Sequence, residues 1–170
     1  MKTKFFQLLS VVAIATVSFN SCTTDACKDV DCGLYGECVD GDCVCDTGYE
    51  GVNCDTEMRE KFAGNYLASE AACDVTDFAS SIGNSSTGVN KIAITGFGGY
   101  ECSGSPIVVI ATVNGMDVTV DPNQSFCSGL IVISSGSGSI NASGNVVSIT
   151  YTSTVDGGTA TTCTTVYTGV

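Results

Sequence analysis

The pattern of apolar and polar side chains after residue 62 predicts β-strands. Met116, Val118 and Val120 are apolar at every second position, and polar residues separate them. The same alternation covers residues 147–155. Successive side chains of a strand point to opposite faces, so this period of two predicts strands with one buried and one exposed face.

Three other runs are more continuously apolar, at residues 92–95, 107–113 and 130–133. Runs of this kind favour strands that are covered on both faces for part of their length. The whole region is also rich in Thr, Ser, Val and Ile, and the β-branched residues among these fit a pleated surface well.

Turn signals that contain glycine divide these runs. They occur at 83–84, 98–99, 114–115, 136–138, 144–145 and 156–158. Asn114-Gly115 is the strongest hairpin signal, because a two-residue type I′ turn needs positive φ at both positions. About eight strands joined in this way predict an antiparallel meander over 62–170, as an up-and-down barrel or a sandwich.

The first 21 residues have a different pattern. Lys2 and Lys4 precede an apolar run that is shorter than the roughly 20 residues of a spanning helix, which is typical of a secretory signal peptide. Ser21-Cys22 then resembles the lipoprotein signal of Gram-negative bacteria. The resemblance implies that Cys22 carries the lipid (palmitate among its acyl chains). It also implies that residues 22–26 form the tether of an outer membrane lipoprotein on its periplasmic or cell-surface face.

The number of cysteines agrees with this interpretation. The chain has eleven, of which six lie in 27–54 and four lie beyond residue 70. Cys22 is the one left over, and an acylated sulfur needs no partner. A zinc cluster is the alternative, but the chain has no histidine and a secreted protein meets an oxidising compartment.

The six cysteines of 27–54 have gaps of four, five, four, one and eight residues. With Gly33, Gly36, Gly48, Tyr49 and Gly51 in place, this spacing resembles the EGF-like module. Spacing alone leaves fifteen pairings open. The resemblance implies the pairs Cys27–Cys38, Cys32–Cys43 and Cys45–Cys54.

Calcium-binding EGF-like modules carry acids before the first cysteine and between the third and the fourth. Asp25, Asp40 and Asp42 occupy such positions here, whereas Ala26 stands beside Cys27. A calcium ion takes about six to eight oxygen ligands, more than this set supplies. We therefore expect a weak calcium site at most, and no other cofactor.

Residues 55–61 are charged, and Asp55 or Thr56 is predicted to cap a short helical linker. The stretch 62–66 (FAGNY) then resembles the opening of lipocalin-like barrels, with Tyr66 in place of the usual Trp. The chain also resembles small bacterial surface lipoproteins in which a C-terminal β domain follows an EGF-like module. These resemblances imply a mainly β protein in which a barrel or sandwich follows the small module.

The four cysteines of the β domain allow three pairings. In a closed meander the first and last strands are neighbours, which favours Cys73–Cys163 and leaves Cys102–Cys127. The long loop between Cys73 and Cys163 makes the first bridge worth roughly 4–5 kcal/mol in the chain-entropy model.

Charge and missing residue types limit the function. The formal net charge of −12 disfavours nucleic acid as a partner. No histidine and no serine in a nucleophile-elbow pattern are present, so we expect no catalytic residues. The sequence predicts a membrane-anchored binding or adhesion protein whose ligand is a protein or a glycan. The alternatives are a lipocalin-like carrier of a small apolar ligand and a structural envelope protein.

Overall fold

The computed structural model describes residues 25–70, 73 and 75–170. The predicted signal peptide (1–21) and the predicted lipidation site Cys22 lie outside these residues. The strands are β1 (Gly36–Val39), β2 (Asp42–Cys45), β3 (Tyr49–Glu50), β4 (Thr56–Glu57), β5 (Gly64–Glu70), β6 (Val75–Asn84), β7 (Lys91–Thr95), β8 (Glu101–Cys102), β9 (Ser105–Pro106), β10 (Val108–Asn114), β11 (Asp117–Val120), β12 (Gln124–Phe126), β13 (Ile131–Ile140), β14 (Val146–Val155) and β15 (Thr161–Gly169). Three short 3₁₀ turns cover Met58–Phe62, Phe97–Gly99 and Cys127–Gly129. No helix within the described ranges is long and apolar enough to cross a bilayer.

Eight strands close into an antiparallel barrel. Their order is β5–β6–β7–β10–β11–β13–β14–β15, and β15 pairs back with β5. The predicted hairpin at Asn114-Gly115 is present, with Asn114 opposite Asp117 and Gly115 at φ 60°. The predicted fold class, mainly β with an antiparallel meander, is confirmed, and the meander is a barrel rather than a sandwich.

A side chain completes the barrel where β11 ends. The last backbone hydrogen bond between these segments runs from the Asp121 amide to the Ile110 carbonyl at 3.0 Å, and the Gln124 side chain continues the pairing of β10 from there. Gln124 Oε1 accepts from the Ile110 amide at 2.8 Å, and Nε2 donates to the Ile110 carbonyl at 2.8 Å. Because Gln124 also pairs through its backbone with Ile133 on β13, it continues the seam between β10 and β13.

The barrel interior is mostly apolar, and alternation along each strand produces it. On β14, Val147, Ile149, Tyr151 and Ser153 are buried, as predicted from the period of two. The expectation that 92–95, 107–113 and 130–133 are covered on both faces is wrong. These strands also alternate, because one wall of a barrel has a single inner face.

Individual positions in these runs show the same rule. Val109 and Ala111 are fully buried, whereas Val108 between Ile107 and Val109 is 44% exposed. Met116 is exposed as well, because it belongs to the hairpin turn rather than to β11. The pattern therefore predicted β11 correctly, but it wrongly included Met116 in the inner face of that strand.

The two ends of the barrel are built differently. At the lower end, defined by the start of β5 and the 114–115 turn, the buried Phe62 side chain fills the interior, and its carbonyl accepts from Tyr66 Oη at 2.8 Å. At the upper end, defined by the disulfides of the β domain, the buried Phe97 side chain fills the interior.

The linker is helical over only part of the predicted stretch. Met58–Phe62 form a 3₁₀ helix, whereas Thr56–Glu57 form a strand, so neither Asp55 nor Thr56 caps the helix. Glu57 precedes that helix without a side-chain capping bond. The pairing of Thr56–Glu57 with Tyr49–Glu50 holds this segment extended, which a reading of charge and capping residues does not reveal.

The cysteine-rich module (residues 27–54) contains three disulfides, Cys27–Cys38, Cys32–Cys43 and Cys45–Cys54. These are the partners that the EGF-like resemblance implied. Its regular structure is the hairpin β1–β2 and the strand β3, which pairs with β4 of the linker. The Tyr35 and Tyr49 rings stack at 3.9 Å between centroids.

The module packs against the lower end of the barrel. Gly48 has φ 96°, and a Cβ atom there would lie 2.7 Å from Val89, so this contact needs glycine. The Gly48 carbonyl accepts from the Met58 amide, and Lys61 pairs with Glu50 at 2.7 Å. Arg59 donates to the carbonyls of Ser85 and Gly88, which ties the linker to the β6–β7 loop.

Candidate functional site

Two disulfides brace the upper end of the barrel. Cys73–Cys163 joins the connection between β5 and β6 to strand β15. Cys102–Cys127 joins the segment before β10 to the segment before β13. Both pairs have the partners that the closed meander predicted. Both lie at the mouth of the barrel, so the connecting segments at this end are cross-linked, whereas those at the lower end are not joined by the disulfides of the β domain.

A buried carboxylate lies directly beneath this mouth. Glu70 is the last residue of β5 and is 1% exposed. Its Oε1 atom accepts from Tyr151 Oη at 2.6 Å and also from Thr165 Oγ1. Two neighbouring strands therefore supply the donors, and Glu70 is the acceptor of the cluster.

Tyrosine hydroxyls surround the cluster in a low-dielectric interior. Burial, and then the hydrogen bond to Glu70, raises the pKa of Tyr151 far above its ordinary value. Burial also raises the pKa of Tyr167 strongly. Both hydroxyls therefore stay protonated at physiological pH, and Tyr151 Oη remains a donor to Glu70.

A pocket of about 290 Å³ opens above Glu70. The Cys73–Cys163 disulfide, Tyr100 and Ser153 form its walls, and Tyr100 Oη lies 2.8 Å from Ser153 Oγ. Val75, Val155, Thr159 and Thr161 complete the lining. The pocket thus combines a carboxylate at its base, hydroxyl groups on its wall and aliphatic side chains beside them.

The predicted calcium residues do not form a cluster. Among the described residues, the acid and cysteine side chains that converge closely enough for a metal are Glu70, Cys73 and Cys163. The two sulfurs in that group are bonded to each other, so they offer no thiolate. Asp25 instead accepts from the Cys27 amide at 3.0 Å, and the structure does not bring it together with Asp40 and Asp42.

A second surface feature lies on the cysteine-rich module. Leu34 and Val52 are 90% and 88% exposed. Gly33 precedes Leu34 and Asn53 follows Val52, and these two neighbours lie against each other. A Cβ atom built on Gly33 would fall 2.5 Å from the Asn53 carbonyl oxygen. We call Leu34 and Val52 the exposed apolar pair.

Carboxylates adjoin this pair on both segments. Asp31 Oδ1 accepts from the Gly33 amide at 3.0 Å, next to Leu34. Asp55 Oδ1 lies 3.3 Å from where a Gly51 Cβ atom would be, next to Val52. Residues 25–54, which are the module and the two residues before it, contain eight acids and one lysine. An apolar pair within a strongly negative surface is the result.

Sequence reasoning did not single out either feature. Glu70 was one acid among many, yet it continues the inward series Tyr66, Ala68, Glu70, and that period of two could have placed it inside. Leu34 and Val52 have no comparable signal, because their exposure follows from how the disulfides leave the loops outside the small core.

The fold and these sites define a disulfide-rich, mainly β protein with an eight-stranded antiparallel barrel. No protein-family model matches the sequence, and no curated protein matches it. One solved structure to which it is similar is that of a candidate outer membrane protein from Bacteroides fragilis, with 14% identity and a TM-score of 0.39. The alignment covers 66% of this chain and 52% of that one, so the chain spans about half the length of that structure.

Proposed function

We propose that the chain is a lipid-anchored, extracytoplasmic binding protein that is not an enzyme and that contacts a protein partner through its cysteine-rich module. The observation that carries the proposal is the exposed apolar pair, Leu34 and Val52. Single exposed apolar residues are common on protein surfaces. Two that are almost fully exposed on touching segments, in a module held rigid by three disulfides, favour a contact surface.

The charge around the pair specifies the partner's chemistry. Asp31 and Asp55 adjoin it, and acids dominate the rest of the module. A complementary surface therefore presents apolar side chains together with lysine or arginine. A lipid on Cys22 would hold the module close to the membrane through the tether 22–26.

The alternative of a lipocalin-like carrier for an apolar ligand is not favoured. Tyr151, Tyr167, Phe62 and Phe97 are fully buried, and together they occupy the barrel interior from end to end. Four pockets of the described residues lie at the ends and flanks of the barrel. A glycan partner and a structural envelope role have no comparable observation in their favour.

The test uses three amphipathic peptides of equal length and the immobilised protein. One peptide combines lysine with leucine, one replaces lysine by glutamate, and one replaces leucine by serine. We expect the lysine–leucine peptide to bind best. We expect the double variant Leu34→Ser/Val52→Ser to weaken it roughly tenfold or more, because each buried aliphatic side chain contributes on the order of 1.5–3 kcal/mol.

The matched control is Leu67→Ser, the same change at a half-exposed position on the outer barrel wall. It should leave binding unchanged. Equal binding by wild type and the double variant would contradict the proposal. So would equal binding of both lysine peptides, since charge alone would then explain the interaction.

A further inference from the structure

Only one of the two carboxylate oxygens of Glu70 takes part in the hydrogen bonds beneath the pocket. The Oε1 atom already satisfies both buried hydroxyl donors, those of Tyr151 and Thr165. The Oε2 atom has no hydrogen-bond partner among the described residues. This oxygen is not among the fully buried unpaired atoms, and Glu70 lines the pocket, so Oε2 is the acceptor that a ligand in the pocket meets.

We propose that this pocket binds a small primary amine, whose ammonium group donates to Glu70 Oε2. An ammonium group supplies both the positive charge and the donors that a buried carboxylate lacks. The site lies at the upper end of the barrel, opposite the cysteine-rich module. It is therefore independent of the protein contact proposed above.

The remaining lining fits such a ligand. The hydroxyl groups of Tyr100 and Ser153 lie on one wall and can accept further ammonium protons. Val75 and Val155 offer contact to a short alkyl chain. A volume of about 290 Å³ suits a molecule of few heavy atoms, since pockets for drug-sized ligands begin at about 300 Å³.

The charge of the whole chain supports a cationic ligand. A formal net charge of −12 concentrates small cations near the surface and repels carboxylates. The same field would also attract amines without any site. The experiment must therefore separate binding at Glu70 from general attraction to an acidic surface.

The probes are n-butylammonium, n-butanol and butyrate, titrated into the isotopically labelled full-length protein and followed by NMR. We expect saturable shifts at Ser153, Thr161 and Cys163 with n-butylammonium alone. The variant Glu70→Gln keeps an oxygen acceptor for Tyr151 and Thr165 but removes the charge. We expect it to weaken n-butylammonium binding at least tenfold.

The matched control is Glu101→Gln, the same change at an exposed glutamate of the same barrel end, and it should leave the affinity unchanged. If Glu70→Gln does not fold, Thr161→Trp provides a second test, because Thr161 is exposed at the pocket rim and a large side chain there narrows the entrance. Undiminished binding by Glu70→Gln or by Thr161→Trp would overturn the proposal. An equal loss with Glu101→Gln, or the absence of saturable shifts in the wild type, would do the same.

Discussion

At the residue scale, two buried tyrosines of the barrel have opposite hydrogen-bond states. Tyr151 Oη donates to Glu70 at 2.6 Å. Tyr167 Oη is buried without a hydrogen-bond partner among the described residues. Since a satisfied buried hydroxyl stabilises a fold and an unsatisfied one costs free energy, the same substitution should have different effects at the two sites.

We expect Tyr151→Phe to lower the free energy of unfolding by about 1–3 kcal/mol, because it also leaves Glu70 without one of its donors. Tyr167→Phe removes only an unpaired hydroxyl and should be neutral or stabilising. Guanidinium denaturation of both variants measures the difference. If the two substitutions lowered the free energy of unfolding equally, the hydrogen bond from Tyr151 to Glu70 would not stabilise the fold.

At the element scale, β13 is shaped by glycines that face its neighbour. A Cβ atom on Gly138 would clash with the Ser148 carbonyl oxygen and lie 2.8 Å from Ile149 Cα. Both atoms belong to the backbone of β14, which cannot move without disturbing the barrel. Glycine is therefore required for the close approach of β13 to β14 at this position.

We predict that Gly138→Ala lowers the free energy of unfolding by about 2–4 kcal/mol, because an overpacked strand must shift its backbone. Gly83→Ala is the matched control, since Gly83 also lies in a strand and has open space around its Cβ position. It should be neutral or slightly stabilising. Chemical denaturation of both proteins tests this, and values within about 0.5 kcal/mol of each other would contradict the explanation.

Much of the element order follows from the sequence, because each wall of a barrel must alternate. Residues 147–155 and the Asn114-Gly115 turn predicted β14 and the β10–β11 hairpin. The Gln124 seam was not predictable, since it depends on where β11 ends relative to β10. The extended start of the linker 55–61 was not predictable for a related reason: the conformation of Thr56–Glu57 is set by pairing with Tyr49–Glu50.

At the scale of the whole molecule, the disulfides divide between two tasks. Three hold the cysteine-rich module, whose apolar content is too small to stabilise it alone. The other two brace the upper mouth of the barrel, and Cys73–Cys163 alone spans 90 residues. The ten cysteines of residues 27–163 are therefore all paired within the described chain, which leaves Cys22 available for the lipid that the proposed function requires.

Cysteine pairing could be predicted further than any other feature, because the EGF-like resemblance implied three pairs and the strand order of a closed meander favoured the other two. The binding surfaces could not. The exposure of Leu34 and Val52 and the pocket above Glu70 both arise from segments that meet only in the folded protein.

The most direct test of the account is the mass of the intact protein, isolated from membranes and treated with iodoacetamide without reduction. We predict a chain that begins at Cys22, carries a covalent lipid and gains no alkyl group. Reduction before the same treatment should add ten. A mature chain with an unmodified Cys22, or one that gains several alkyl groups before reduction, would contradict the picture of an anchored, fully cross-linked extracytoplasmic protein.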